Sequence, residues 1–366
     1  MATIFKWGII STGYIASKFA SDLLVDPKTR GVTDVVHQIS SVGSRSVEKA
    51  QEFIDKIAAG DKTIKAFGTY EEVYNDPDVD AVYIGTPHTH HYQNALDAIK
   101  AGKNVLCEKP ITTNIAELRS LLSAAKEHNV FLMEAVWTRF QPLSLEVKRI
   151  AEEGSLGLPE MLHADLSGNF DIHNIPVTHR ILDPALAGGA LLDLGPYPLF
   201  WAILALYENP ANEGTLPTKI IGSMLKTPIT DVDQSTVFSI AFSKGKLAAQ
   251  ASLSCSITLN AKEPGVTIRF QKGNIVIKPP IYCPKEFTVQ RFSKDGKITK
   301  EERVVFTYEG GGWHFQADEV ARCVRDGKKE SALWGHDKSL LEMMIFDEVR
   351  RQGDYKLPLG VEKVTE

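Results

Sequence analysis

The sequence predicts a two-domain α/β chain: a doubly wound parallel sheet, then an α+β domain built on a large, mostly antiparallel open sheet. Three observations carry this. Apolar runs alternate with amphipathic stretches over the first third of the chain. An apolar/polar period of two takes over later. Glycine-containing turn signals then separate neighbouring apolar runs by only a few residues.

In the first third, residues 4–10, 35–42, 81–85, 104–107 and 130–134 read as strands, and 15–24, 47–58, 92–101 and 115–128 as the helices between them. Strand, helix, strand, repeated, implies parallel strands joined by crossovers. This domain is bounded at residues 1–135, leaving 136–366 for the second. After a helix near 143–153, Leu247, Ala249, Ala251, Leu253, Cys255 and Ile257 are apolar, with Gln250, Ser252, Ser254 and Ser256 between them. That spacing makes a strand with two different faces. Phe238, Ile240 and Phe242 alternate likewise. Lys244-Gly245, Lys272-Gly273-Asn274 and Lys294-Asp295-Gly296-Lys297 are hairpin signals. Two late helices, near 315–326 and 337–351, close the chain.

Length and composition bound the class. The 366 residues suffice for two cores. A net charge of −5 gives no basic surface for nucleic acid or an anionic membrane. The longest candidate membrane run, 199–207, falls well short of the ~20 residues a span needs. Cys107, Cys255, Cys283 and Cys323 are scattered without metal spacing, which fits reduced thiols in a cytoplasmic protein. Lys6 interrupts any signal-like start.

The first strand ends in W-G-I-I-S-T-G-Y-I-A. A dinucleotide-binding, Rossmann-type turn wants G-x-G-x-x-G: a tight turn, a close backbone approach to pyrophosphate, and a small residue where helix meets strand. Gly13 keeps the second role and Ala16 the third, while Ser11 replaces the first glycine; it is small, and its conformation need not have positive φ. With Ser11, Thr12, Gly13, Tyr14 and Ile15 around a helix N-terminus, phosphate binding stays feasible. Any βα turn in an α/β protein reads the same way. At the end of the second strand, in V-G-S-R-S-V-E-K-A, no carboxylate stands at the tip to accept from a ribose 2′-hydroxyl. Ser44, Arg45 and Lys49 offer hydroxyl and cationic donors instead, which suits the 2′-phosphate of NADP. A solvated helix start capped by serine is the alternative.

G-T-P-H-T-H-H-Y (85–92) and L-C-E-K-P-I-T (106–112) also follow strands, so their loops line the crevice of such a sheet. Thr86, Pro87, His88, His91, Glu108 and Lys109 are therefore cofactor candidates. His88, His90 and His91 lack the spacing or carboxylate of a zinc site, so no metal is expected.

These motifs resemble the Gfo/Idh/MocA oxidoreductases, in which E-K-P follows a T-P-x-x-x-H loop. E-A-V-W-T-R-F-Q-P (134–142) is similar to the branch holding the dimeric trans-dihydrodiol dehydrogenases and NADP-dependent D-xylose 1-dehydrogenases. The resemblance runs from Trp7 to about Trp201. It implies cofactor contacts from Trp137 and Arg139, and leads to G-G-A-L-L-D-L-G-P-Y-P (188–198), where Ala190 replaces the family's third glycine. It implies an aldose dehydrogenase making the lactone with NADP, D-xylose first, or a trans-1,2-dihydrobenzene-1,2-diol dehydrogenase. A nonenzymatic NADP-sensing regulator of the same fold is expected to have lost the lysine or the acid/base residue.

Catalysis is assigned to Tyr197 as general base, Lys109 as the cation that lowers its pKa, and Asp193 as support, with Lys109 itself as alternative proton acceptor. On a helix Asp193 and Tyr197 share a face; Pro196 predicts a kink or helix start between them. Phe140, Phe170, His179 and Arg180 are implied as substrate contacts. Trp313, in E-G-G-G-W-H, is read as reaching in from the second domain, or as an anchored indole on a flexible loop. The polar face of 250–256 is expected to pack against a second copy in a homodimer.

Overall fold

The computed structural model describes residues 2–365. Its chain divides into two compact units, residues 1–140 with 308–340 and 362–366, and residues 141–307 with 341–361.

In the first unit, β1 (Thr3–Ile10), α1 (Tyr14–Leu23), β2 (Val35–Gly43), α2 (Val47–Ala58), β3 (Lys65–Phe67), α3 (Tyr70–Tyr74), β4 (Ala81–Ile84), α4 (His88–Lys100), β5 (Asn104–Glu108), α5 (Ile115–Glu127) and β6 (Leu132–Ala135) follow in order. The strands form a parallel sheet in the order β3-β2-β1-β4-β5-β6. All four residues of β4 and of β6 are buried, as strands covered on both faces must be. Local chemistry sets the helix starts. Ser46 caps α2 by accepting from the Lys49 N–H, Asn114 caps α5 by accepting from that of Glu117, and Thr69 and Glu72 cap α3 reciprocally. Helix α4 starts at His88, one turn before the helix expected from 92.

The second unit begins with α6 (Pro142–Glu152) and β7 (Pro159–Ser167). Two short helices follow, α7 (Ala190–Leu194) and α8 (Pro196–Ala202). Then come β8 (Lys219–Lys226), β9 (Asp233–Phe242), β10 (Ala249–Ser256), β11 (Val266–Phe270), β12 (Gly273–Ile277), β13 (Glu286–Phe292) and β14 (Ile298–Val305). The sheet order is β14-β13-β12-β11-β7-β10-β9-β8, antiparallel except between β7 and β10. The three hairpin signals fall at the β9–β10, β11–β12 and β13–β14 turns. Ala249, Ala251, Leu253 and Cys255 are buried, while Gln250 and Ser252 are exposed, so β10 has the two faces its period requires. Residues 184–207 are long and apolar enough to cross a membrane by length and composition, but 94% of their most apolar window is buried inside the fold.

The chain then returns to the first unit with α9 (His314–Arg325), and α10 (His336–Gln352) starts in that unit and ends in the second. This corrects the expected boundary, which gave everything after 135 to the second domain. Buried polar chemistry holds α9. Arg30 donates from two nitrogens to Asp318, both at 2.8 Å, and His37 Nε2 lies 2.9 Å from the same carboxylate. The Trp7 indole N–H donates to His37 Nδ1, which leaves a neutral ring's proton on Nε2, facing Asp318.

Candidate active site

In the first unit, the loops at the carboxyl ends of the parallel strands hold the candidate nucleotide residues. Ser11 adopts φ +89°, so the position keeps the conformation a glycine would take, although the sequence alone did not require positive φ there. Its Oγ accepts from the Gly13 N–H at 3.2 Å, a local bond that offsets part of the strain. Gly13 precedes α1 without a side-chain cap, and the first turn of α1 has no acidic residue. Its N–H groups are thus left for an anion. Tyr14 is exposed and Ile15 half-buried. Ala16 packs where a small residue is needed: a Cβ on Gly85 would stand 3.3 Å from the Ala16 methyl and 2.9 Å from the Tyr83 ring.

At the end of β2, Ser44 is buried with its Oγ 3.2 Å from Thr12 Oγ1. Arg45 and Lys49 are exposed beside it, and no carboxylate stands between Ser44 and Val47. This set of hydroxyls and cations fits a phosphorylated ribose better than a free 2′-hydroxyl, which calls for an acceptor.

Four of the remaining candidates hold these loops rather than face outward. His91 has no exposed surface, and its nitrogens lie 2.7 Å from the Pro110 carbonyl oxygen and 2.8 Å from that of Thr86. This corrects its assignment as a cofactor contact. Thr86 Oγ1 accepts from the Asn94 amide at 3.0 Å, while Pro87 and His88 open α4. Glu108 is buried and accepts from the Tyr83 hydroxyl at 2.7 Å. Burial pushes its carboxyl up to about 7, against the opposing pull of Tyr83 and Lys109. Arg139 is only 2% exposed, and its Nε–H donates to the Leu333 carbonyl, so it too is a brace. Lys109 is half-buried between Glu108 and Pro110. Two residues further, the Ile111 N–H donates to Glu134, which also accepts from Ser339 and Trp334. Nothing in the sequence motif announced this role for Glu134.

Trp137 is buried and stacks on Trp313, which belongs to the first unit and not to the second as expected. The E-G-G-G-W-H run is not a loose loop: the N–H groups of Gly311, Gly312 and Trp313 all donate to the Asp22 carboxylate. Phe140 is buried at the end of the same unit.

In the second unit, α7 and α8 meet at Gly195, whose φ of −55° and ψ of −31° continue the helical phase, so Asp193 and Tyr197 share a face. Pro196 starts α8. Gly189 has φ +112°, and a Cβ there would lie 1.9 Å from Asp233, whose carboxylate accepts from the Leu191 N–H at 2.7 Å. Ala190 is already helical, so the missing third glycine costs nothing. Asp193 pairs with Arg180 at 2.9 Å. The implied support for Tyr197 therefore carries its own guanidinium partner. Tyr197 is buried, its ring 5.5 Å from that of Tyr282, a neighbour the sequence did not flag. Phe170 is half-buried, with its N–H on the Ile257 carbonyl, and His179 Nδ1 accepts from the Ile181 N–H at 3.3 Å.

Comparison with known proteins agrees with this layout. Residues 5–136 match the Gfo/Idh/MocA oxidoreductase family's NAD-binding Rossmann fold, and residues 144–276 match the Gfo/Idh/MocA C-terminal domain. The chain is 38% identical to the D-xylose 1-dehydrogenase (NADP(+)) of Hypocrea jecorina, over 96% of this chain and 93% of that protein. It is 34% identical to the trans-1,2-dihydrobenzene-1,2-diol dehydrogenase of Danio rerio, over 95% of this chain and 96% of that one. The solved aldose-aldose oxidoreductase of Caulobacter crescentus shares the fold, with a TM-score of 0.78 at 21% identity over 96% of this chain and 98% of that one.

Proposed function

The chain belongs to the Gfo/Idh/MocA oxidoreductase family, and from that premise we propose that it is an NADP-dependent dehydrogenase oxidising the anomeric hydroxyl of an aldose, D-xylose first, to the lactone. The observation that carries the substrate class is the likeness to the D-xylose enzyme over almost the whole chain. The choice of NADP is supported by the Thr12–Ser44 hydroxyl pair and the exposed Arg45 at a strand tip without a carboxylate.

The chemistry NADP+ supplies when bound is acceptance of a hydride at C4 of its nicotinamide. The first turn of α1 binds the pyrophosphate through its N–H groups, and Ser44, Arg45 and Lys49 bind the 2′-phosphate. Tyr197 takes the proton of the substrate hydroxyl. Lys109 supplies the positive charge that favours the ionised phenol. Asp193, held by Arg180, orients the hydroxyls, and Phe140, Phe170 and His179 shape the substrate's surroundings. A regulator of the same fold would have no use for both Lys109 and Tyr197.

A second reading, oxidation of a trans-dihydrodiol, draws on the dihydrodiol dehydrogenases and on the Tyr197–Tyr282 pair, where Tyr282 leaves 37% of its surface exposed as an aromatic wall. NADP+ reduction screened over aldopentoses, aldohexoses and a trans-dihydrodiol, with NAD+ as control, separates the two; absence of turnover with every substrate overturns both.

We also propose a cytoplasmic homodimer, joined through the open sheet face where Ile221, Val237 and Leu225 are exposed beside the polar residues of β10. Solution mass tests the dimer.

A further inference from the structure

Two loops matter to the proposed reaction, one after β4 and one after β5, and a single ring touches both. His91 Nδ1 lies 2.7 Å from the carbonyl oxygen of Pro110, the residue after Lys109. Its Nε2 lies 2.8 Å from the carbonyl oxygen of Thr86, at the entrance to α4. The ring has no exposed surface, so no water replaces either contact.

A neutral imidazole has one N–H and donates to one carbonyl, whereas an imidazolium donates to both. Burial, and then the charges of Lys109 and His90, resist the second proton, while the two carbonyls favour it; the balance lowers the ring to about 4. His88 meets the ring edge-on at 5.8 Å between centroids. Near neutral pH the one ring proton therefore serves two acceptors in turn, Pro110 when it is on Nδ1 and Thr86 when it is on Nε2, and the loops are set against each other through the ring.

We propose that His91 is a positioning residue that ties the Thr86–Pro87 turn to the Lys109–Pro110 segment, fixing the nucleotide loop and the lysine in one register. This rests on the reading that Lys109 acts in the reaction.

Two substitutions divide the ring's functions. The amide nitrogen in His91→Asn stands near the place of Nδ1 and keeps a donor for Pro110; that in His91→Gln reaches toward the place of Nε2 and keeps one for Thr86. Losing one buried hydrogen bond is worth about tenfold in an equilibrium. Hydrogen exchange is followed over 84–90 and 108–113, together with the NADP+ Kd and kcat. His91→Gln is expected to speed exchange about tenfold over 108–113 and to have the lower kcat of the pair. His91→Asn is expected to speed exchange over 84–90 and to have the weaker NADP+ binding. Exchange that changes alike in both loops for both variants, or in neither, overturns the proposal. Should neither variant fold, histidine-selective nitrogen spectra of the wild-type protein decide: an exchange-protected ring titrating far below 6.5 agrees, and one titrating like a solvent-exposed histidine overturns it. If exchange crosses as stated while the wild type turns over no aldose or diol, His91 keeps its positioning role and the reading of Lys109 falls.

Discussion

Trp313 lies flat on Trp137, with ring centroids 4.1 Å apart and planes within 5° of parallel. The stack is held from behind, because Asp22 of α1 takes the N–H groups of residues 311–313 and leaves the glycine run little freedom. Trp313 therefore works first as a fastener of the first unit. Trp313→Ala removes a half-buried indole and its stacking partner's contact, and is expected to cost about 2–3 kcal/mol in urea unfolding. Trp313→Phe keeps a ring on Trp137 and should lose less than half of that. Equal losses in the two variants would show that the stack carries no weight.

Tyr197→Phe keeps the ring against Tyr282 and removes only the hydroxyl. Turnover is expected to fall by about 10²–10⁴-fold while NADP+ binding, read by calorimetry, holds. In Lys109→Met the kcat–pH profile should move its acidic limb, where the base becomes protonated, up toward ~10, the value of an unassisted phenol. A profile that loses that limb instead makes Lys109 the proton acceptor.

Arg45 is exposed at the tip of β2 beside the buried Ser44. A charge-assisted bond to a phosphate is worth about 1.5–3 kcal/mol. Arg45→Gln is expected to raise the KM for NADP+ by about 10–100-fold and to leave that for NAD+ in place. Equal changes for both coenzymes would move the 2′-phosphate contact to another residue.

Ser11 pays for positive φ where a glycine would not. Ser11→Ala keeps that strain and loses the bond from the Gly13 N–H, so it should lose about 1 kcal/mol. Ser11→Gly loses the same bond but relieves the backbone, and should stay near the wild type in thermal unfolding. If alanine and glycine behave alike, the strain is negligible.

The parallel strands were readable because burial on both faces leaves continuous apolar runs, as in β4, and β10 was readable because its two faces differ. The three-residue β3 and five-residue α3 were not, since neither is long enough to show a period; pairing with β2 and the Thr69–Glu72 capping box define them instead. Motifs located the loops of the site but not the direction of each side chain. His91 and Arg139 sit in motif positions, yet burial turns both into braces. No local pattern in E-G-G-G-W-H says that its partner is Asp22, so the assignment of Trp313 to a unit had to come from three-dimensional contacts.

Glu108 gives the clearest pH signature. Its carboxyl is pushed up to about 7 in the fold, chiefly by burial, from an ordinary 4.5. Below the ordinary value both folded and unfolded chains hold the proton, and the residue costs nothing. Between there and pH 7 the unfolded chain releases it while the folded chain keeps it, so stability drains away as pH rises, the reverse of a paired surface carboxylate. At 1.36 kcal/mol per unit the penalty approaches about 3 kcal/mol above pH 7. Glu108→Gln cannot ionise and still accepts from the Tyr83 hydroxyl. Urea midpoints for both proteins at several pH values should converge near pH 4.5 and separate steadily toward pH 8, with the glutamine variant the more stable. Curves that run parallel across that range would mean that Glu108 is ionised in the folded protein, with a cation close enough to offset its burial.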